Sequence, residues 1–186
     1  DFFFLKEAGR NLNDTGKVQA RQLGEKLKGV GFSAIYTSSL ARARETAALA
    51  VPDVASTPLP ALAERSFGKF EGMFEDGRDA ALGDEFKRRA GNPDDGLDGG
   101  ESLNSQARRV ATAIEQIRSR QTKGSVLVVS HGGVTPLIMA HLLQLPASVA
   151  SAHIKQANDE VYLIRLRGQQ APQVWKLIGK ESLEQL

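Results

Sequence analysis

The run Ser125-Val126-Leu127-Val128-Val129-Ser130-His131-Gly132-Gly133 puts one imidazole directly after a string of apolar, mostly β-branched residues. Such a string suits a buried parallel strand, and open α/β sheets keep their chemistry at the carboxyl ends of their strands. An imidazole there can exchange protons near neutral pH or hold an anion, and two glycines after it let backbone come close to a ligand. A lone histidine in that place is more often a packing residue, so its meaning depends on its company.

Three further stretches supply that company. In Tyr36-Thr37-Ser38-Ser39-Leu40-Ala41-Arg42-Ala43-Arg44-Glu45, Ala34 to Thr37 reads as a short strand and Ser38 or Ser39 as the N-cap of a helix with Arg42 in its first turn. A guanidinium is a planar fork of donors matched to phosphate oxygens, and a helix N-terminus adds backbone amides of favourable dipole. Alone, Arg42 and Arg44 would read as the solvated face of an amphipathic helix. In Leu62-Ala63-Glu64-Arg65-Ser66-Phe67-Gly68-Lys69-Phe70-Glu71-Gly72 a carboxylate, Glu64, stands in a glycine-punctuated loop; taken by itself it would be a surface group paired with Arg65. In Gly99-Gly100-Glu101-Ser102-Leu103, Ser102 is a plausible N-cap for a helix that carries Arg109.

The order, residue types and spacings of these four stretches resemble the histidine phosphatase superfamily, which includes the cofactor-dependent phosphoglycerate mutases. The resemblance runs from about Phe2 to Leu166. It implies a phosphate pocket made by two histidines and two arginines, with a glutamate as general acid and base. His131 then matches the second pocket histidine, Arg42 the second pocket arginine and Glu64 the proton donor. Glu101 and Ser102 match the family's Gly-Glu-Ser element, and Arg109 the arginine that follows it. Leu12-Asn13-Asp14-Thr15-Gly16, followed by Gln19-Ala20, matches a helix start in which Asn13 replaces the usual threonine and can still cap. The substrate-binding set implied is Arg42, His131, Gly132, Ser38 and Arg109, without metal or cofactor.

The family's first strand ends in Arg-His-Gly, whose histidine takes up the phosphoryl group. This chain begins Asp1-Phe2-Phe3-Phe4-Leu5-Lys6-Glu7-Ala8-Gly9-Arg10, and no histidine precedes His131. An Arg-His-Gly inserted between Leu5 and Lys6 would restore a family-like strand end, which makes an omission of the triplet one reading and an active enzyme its consequence. In the other reading the chain is complete, Lys6 and Arg10 flank the pocket mouth, and phosphate esters bind without turnover. Lys6 is a poor substitute, because an amine beside a cationic arginine must first lose its proton. The intact remainder of the set favours omission. His141 and His153 are expected to be packing or surface groups, His153 near the start of a late strand.

The chemistry gives these residue types a reason to stand together. A phosphate monoester needs its charge neutralised and its phosphorus held in line, which arginines and a second imidazole can do. A nucleophilic imidazole splits hydrolysis into two easier steps, and Glu64 would protonate the leaving oxygen and then activate water. The activity implied is a phosphomonoesterase on a small phosphorylated metabolite; a catalytically inactive phospholigand-binding protein and a phosphoglycerate mutase are the alternatives. Mutases of the family tend to be longer, which favours the phosphatase branch. A serine hydrolase built on Ser130 and His131 fails, since neighbouring residues after a strand point apart and no Gly-x-Ser-x-Gly elbow exists. A dinucleotide fold lacks its glycine spacing and its acidic residue.

The elements that must carry these residues follow from pattern. Phe2 to Leu5 reads as a first strand, Thr15 to Lys28 as a helix with Val18, Leu23 and Leu27 inward, Ser39 to Ala50 as a helix and Val54 to Thr57 as a strand. Leu103 to Arg120 has a stripe at 103, 107, 110, 114 and 117. Pro136 to Leu143 is helical, and Glu160 to Arg167 with Pro172 to Ile178 reads as a hairpin closing the sheet edge. Residues 74–99, around one charged helix from Ala80 to Arg89, form an insertion expected over the pocket. Its Arg78, Lys87, Arg88 and Arg89 are candidates for a second anionic group or for plain surface solubility. The fold expected is a single α/β domain, residues 1–186: a three-layer α/β/α sandwich with a mainly parallel sheet and an antiparallel edge.

Composition sets the outer limits. The chain has 186 residues, 41% hydrophobic and 25% charged, enough for one core. A formal net charge of +2 with dispersed lysines and arginines argues against nucleic acid as a partner. No run is long and apolar enough to cross a membrane, and the absence of cysteine excludes disulfides, zinc thiolates and thiol catalysis. A cytoplasmic protein is expected, with a homodimer left open. Opening at Asp1 just before a strand fits a sequence that begins at or inside the folded domain, which leaves a removed targeting segment open as well.

Overall fold

The computed structural model describes residues 11–71, 80–158, 160–168 and 170–177. The expected first strand at Phe2 to Leu5, the flanking Lys6 and Arg10, and Arg78 lie outside these residues. The described chain runs α1 (Asp14–Lys26), β1 (Phe32–Thr37), α2 (Ala41–Ala50), β2 (Ser56–Pro58), two 3-10 turns (Pro60–Leu62 and Gly68–Phe70), α3 (Ala80–Ala90), α4 (Leu103–Arg120), β3 (Ser125–Val129), α5 (Thr135–Leu143), α6 (Ala147–His153), β4 (Val161–Arg165) and β5 (Gln173–Leu177).

Three strands form a parallel sheet in the order β2-β1-β3, with Tyr36 opposite Thr57 on one side and Val128 on the other. Alternation along β1 sends its side chains to two faces. Tyr36, with Ala34, joins a core of Leu62, Val110, Ile114, Ile117, Val134 and Leu137 from the far side of α4 and α5. Ile35, 1% exposed, points the other way, toward the face on which α2 lies and α1 packs against α2. The two helices approach closely: a Cβ on Gly24 would stand 2.7 Å from the Ala50 carbonyl oxygen. The result is the expected α/β fold, with β4 and β5 as an antiparallel pair.

Several boundaries differ from expectation for physical reasons. Strand β2 starts at Ser56 rather than Val54, because Val54 closes a turn onto the Val51 carbonyl and ladder pairing with β1 begins at Ser56. The β4–β5 hairpin forms its own two-stranded sheet among the described residues instead of extending the parallel one. His153 ends α6, a helix of small residues after Pro146 that pattern alone does not announce. His141 sits on an exposed face with Nε2 2.6 Å from Glu115 Oε1. The caps of α1 and α4 are as expected: Asn13 accepts from the Gly16 amide at 2.8 Å and Ser102 from the Ser105 amide at 3.1 Å.

The described part of the insertion is a small unit of its own. Phe70 and Leu97 are buried together, with Phe86 of α3 edge-on to Phe70 at 5.3 Å between ring centroids. Over them Arg89 forks onto Asp95 at 2.8 and 2.7 Å and onto Asp98 at 2.7 and 2.9 Å, and Lys69 reaches Glu85 and Asp98 at 2.7 and 2.8 Å. Arg89 is thus spent inside the unit, and of the candidates for a second anionic group only Lys87 and Arg88 remain at the described surface.

Candidate active site

The carboxyl ends of β1 and β3 meet side by side, and the site grows from there. The Ser38 amide donates to the Val129 carbonyl at 3.0 Å, which carries the β1–β3 pairing one residue past β1. That register brings Ser38 against His131: Oγ and Nε2 are 2.6 Å apart, with Ser38 fully buried and His131 8% exposed. Ser38 therefore does not cap α2 in the expected way. The helix begins at Ala41 after Leu40, whose amide donates to Ser38 Oγ at 3.2 Å, so this hydroxyl serves both the helix entry and the imidazole.

Arg42, in the first turn of α2, stands close enough to His131 for its charge to act on the ring. Burial first, and the Arg42 charge second, push His131 down to about 4, while Glu64 pulls the other way. The imidazole is accordingly neutral at neutral pH, ready to accept a proton when an anion arrives.

Glu64 lies in the loop after the first 3-10 turn, and among the described residues its carboxylate is held by three N–H donors. Oε1 accepts from the Arg65 amide at 2.9 Å and from Gln106 Nε2 at 3.2 Å; Oε2 accepts from the Gly133 amide at 3.0 Å. A Cβ on Gly133 would overlap the Glu64 carboxylate, whereas one on Gly132 would meet nothing within 4 Å among the described residues. Of the two glycines after His131, the second is required by Glu64, and the first has no described neighbour that excludes a side chain. Ser130 does not offer a nucleophile: its hydroxyl donates to the Leu62 carbonyl at 2.7 Å, tying the end of β3 to the Glu64 loop.

Arg109 takes a different part from the one the resemblance implies. Its Nε and Nη2 fork onto Glu101 at 2.7 and 2.6 Å, Nη1 donates to the Ala61 and Ala63 carbonyls at 2.8 Å each, and Nη2 reaches the Glu64 carbonyl at 3.4 Å. A guanidinium has five N–H donors, and all five face the protein. This geometry makes Arg109 a brace of the Glu64 loop. Beneath it, Gly68 at φ +56° and Gly100 let two loops touch; a Cβ on Gly100 would lie 2.6 Å from the Gly68 nitrogen.

The structure thus gathers Arg42, Glu64, His131, Gly132 and Ser38 at one end of the sheet, with Arg109 behind them. Two participants escape sequence reasoning. Arg65, read as a surface partner of Glu64, stacks its guanidinium over the Phe67 ring at 4.8 Å and is pulled below its ordinary value by burial, against the opposing charges of Glu64 and Glu101. Gln106 is 2% exposed on the inward face of α4. The signal for it was a polar residue four positions before Val110 in an otherwise apolar stripe.

Arginine, imidazole and carboxylate thus converge at the carboxyl edge of a helix-flanked parallel sheet, where open α/β folds bind their ligands. A family model of the histidine phosphatase superfamily (branch 1) matches residues 5–177, and the chain belongs to that superfamily. It is 32% identical over 169 residues to a metal-independent phosphoserine phosphatase of Arabidopsis thaliana, a match spanning 86% of this chain and 67% of the relative. It is 34% identical over 132 residues to a 2,3-bisphosphoglycerate-dependent phosphoglycerate mutase of Methylobacterium sp. (strain 4-46), covering 66% of this chain and 64% of the mutase, under two thirds of its length. A solved structure of an Escherichia coli protein provisionally assigned as an alpha-ribazole-5'-P phosphatase superposes with a TM-score of 0.83 at 26% identity, over 97% of this chain and 89% of that one. Among the described residues no helix is long and apolar enough to cross a membrane.

Proposed function

We propose that the natural protein carries the family's Arg-His-Gly after Leu5 and is then a phosphomonoesterase acting on a small phosphorylated metabolite, with Arg42 and His131 holding the phosphoryl oxygens and Glu64 exchanging the proton. The observation that carries the reading is the convergence on one sheet edge of a cationic Arg42, a neutral, Ser38-held His131 and a carboxylate that bonds the turn after His131. Arg42 balances the charge of the bound dianion, and the imidazole gains a proton as that charge approaches. Gly132 leaves room at the turn for the ester. Residues 1–186 are taken as one domain, with 74–99 as the segment that selects the ester; phosphoserine is the first ester to test, because the Arabidopsis relative is a phosphoserine phosphatase.

A second reading has its own support: no histidine precedes His131, so the chain as it stands has no imidazole at the place where the family's nucleophile ends its first strand. In that reading the pocket binds phospholigands without cleaving them. A mutase is the third, and it differs only in handing the phosphoryl group to a second hydroxyl instead of water.

One experiment separates the phosphatase from the binding protein. Orthovanadate and phosphate binding, and phosphate release from a panel of monoesters including phosphoserine and 3-phosphoglycerate, are measured on this chain and on one with Arg-His-Gly inserted between Leu5 and Lys6. The expected outcome is vanadate binding by both and hydrolysis by the second alone. Binding by both with hydrolysis by neither would favour the binding protein, and no binding by either would sink the phosphate pocket itself.

A further inference from the structure

We propose that Gln106 is a positioning residue which, together with the Arg65 amide, fills Oε1 of Glu64 and so assigns proton exchange to Oε2. The inference rests on the acid and base role proposed above for Glu64.

A carboxylate has about four lone-pair sites, two on each oxygen. Both sites on Oε1 are taken, by the Arg65 amide at 2.9 Å and Gln106 Nε2 at 3.2 Å. Among the described residues Oε2 has a single donor, the Gly133 amide at 3.0 Å, and with respect to them one site stays open on the oxygen next to the turn that follows His131. A proton can sit there without displacing any donor. On Oε1 it would have to expel an N–H, leaving a buried donor without an acceptor.

Gln106 is suited to enforce this choice. It is 2% exposed, on the same face of α4 as Val110 and Ala113, which are buried in the core. A buried primary amide is costly unless bonded, so Gln106 and Glu64 hold each other in place. One turn further along α4, Arg109 braces the main chain of the same loop through the Ala61, Ala63 and Glu64 carbonyls. A single core helix thus fixes both the backbone and the head group of the acid. The charged and titratable groups around Glu64 are Arg65 on its own loop, Glu101 and Arg109 from α4 and its N-terminal flank, His131 from the end of β3 and Arg42 from α2.

In the chain carrying the inserted Arg-His-Gly, a ring nitrogen of that histidine bonds phosphorus as the P–O bond opens; the leaving oxygen keeps the electron pair of that bond and takes the proton released from Oε2. In the second step water bonds phosphorus as the N–P bond breaks and returns its electron pair to the imidazole, and Oε2 regains a proton from that water.

The test begins with a readout that needs no turnover. The Gln106 side-chain amide and the Arg65 and Gly133 backbone amides are followed by nitrogen-15 NMR from about pH 3 to 8, in this chain and in Glu64→Gln. The three signals should move along one shared curve that Glu64→Gln abolishes. Glu64→Asp, which shortens the reach to Gln106, should uncouple that amide and stands in if Glu64→Gln does not fold. A Gln106 amide that stays flat, or that still moves in both Glu64 variants, overturns the proposal. In the chain carrying the inserted Arg-His-Gly, Gln106→Met should lower kcat about tenfold or more, leave KM nearly unchanged and displace the pH profile. A parent that hydrolyses no ester while the amides share their curve counts against the catalytic reading alone. An active parent whose kcat and pH profile survive Gln106→Met overturns the role of Gln106.

Discussion

Ser38 Oγ lies 2.6 Å from His131 Nε2, and the pair is shielded from solvent between the ends of β1 and β3. The serine fixes the orientation of the ring and leaves Nδ1 as its other polar atom. Removing the hydroxyl leaves a buried ring nitrogen without this partner, a loss of about 1–3 kcal/mol. Ser38→Ala should therefore lower stability by that amount in urea unfolding and weaken vanadate binding roughly tenfold by the affinity equivalent of such a loss. Unchanged vanadate affinity would mean that Ser38 does not orient the ring.

His131 makes stability depend on acid. Its folded value, about 4, lies below the ordinary 6.5, so the unfolded chain binds the proton more readily. The corresponding stability is fully present above 6.5 and is lost as pH falls toward 4, on the order of 3 kcal/mol. Urea midpoints of the parent and His131→Gln, measured across this range, should converge as pH drops. Parallel curves would show that His131 is not held neutral.

The two glycines after His131 should behave oppositely. Gly133→Ala drives a methyl group into the Glu64 carboxylate and should cost about 1–3 kcal/mol while displacing the acid. Gly132→Ala meets no described atom within 4 Å and should leave unfolding within about 0.5 kcal/mol of the parent, while weakening vanadate binding at the pocket. Equal thermal shifts for the two variants would contradict this division.

Arg109→Lys retains the charge and loses the fork. A lysine cannot hold Glu101 and three carbonyls at once, so the partly buried Glu101 and the Glu64 loop lose their brace. A loss of about 2–4 kcal/mol is expected by chemical unfolding. Vanadate affinity should fall much less than in Arg42→Lys; the reverse order would restore Arg109 as a direct ligand contact.

The insertion should open locally in acid. Its Asp95 is held near 2 by the Arg89 hydrogen bonds first and the Leu97 amide second, and Asp98 is pulled down by Arg89 and Lys69. The network is intact above the ordinary carboxylate range and is lost as pH falls toward 2. Arg89→Gln should render α3 sensitive to limited proteolysis at neutral pH while the cleavage pattern of α4 stays that of the parent. Equal resistance of α3 in both proteins would show that the aromatic contacts suffice.

Much of this arrangement was legible in the chain. The apolar run before His131, the stripe from Leu103 to Ile117 and the caps at Asn13 and Ser102 are local patterns, set by strand and helix periodicity and by side chains bonding backbone a few residues away. The same locality made Arg42, Glu64 and His131 visible as chemical types in a suggestive order. Nothing local told what Ser38 would do, since cap and ring partner are both within reach of a hydroxyl, and only the β1–β3 register brings the imidazole to it. Arg109 and Gln106 are three residues apart on one helix, yet one braces main-chain carbonyls and the other holds a carboxylate 42 positions away. Residue type and spacing thus determined the family and the strand that presents His131. Tertiary packing decided that Ser38 meets His131, that Gln106 meets Glu64 and that Arg109 meets the Glu64 loop, because long-range hydrogen-bond partners are chosen by the approach of elements and not by sequence distance.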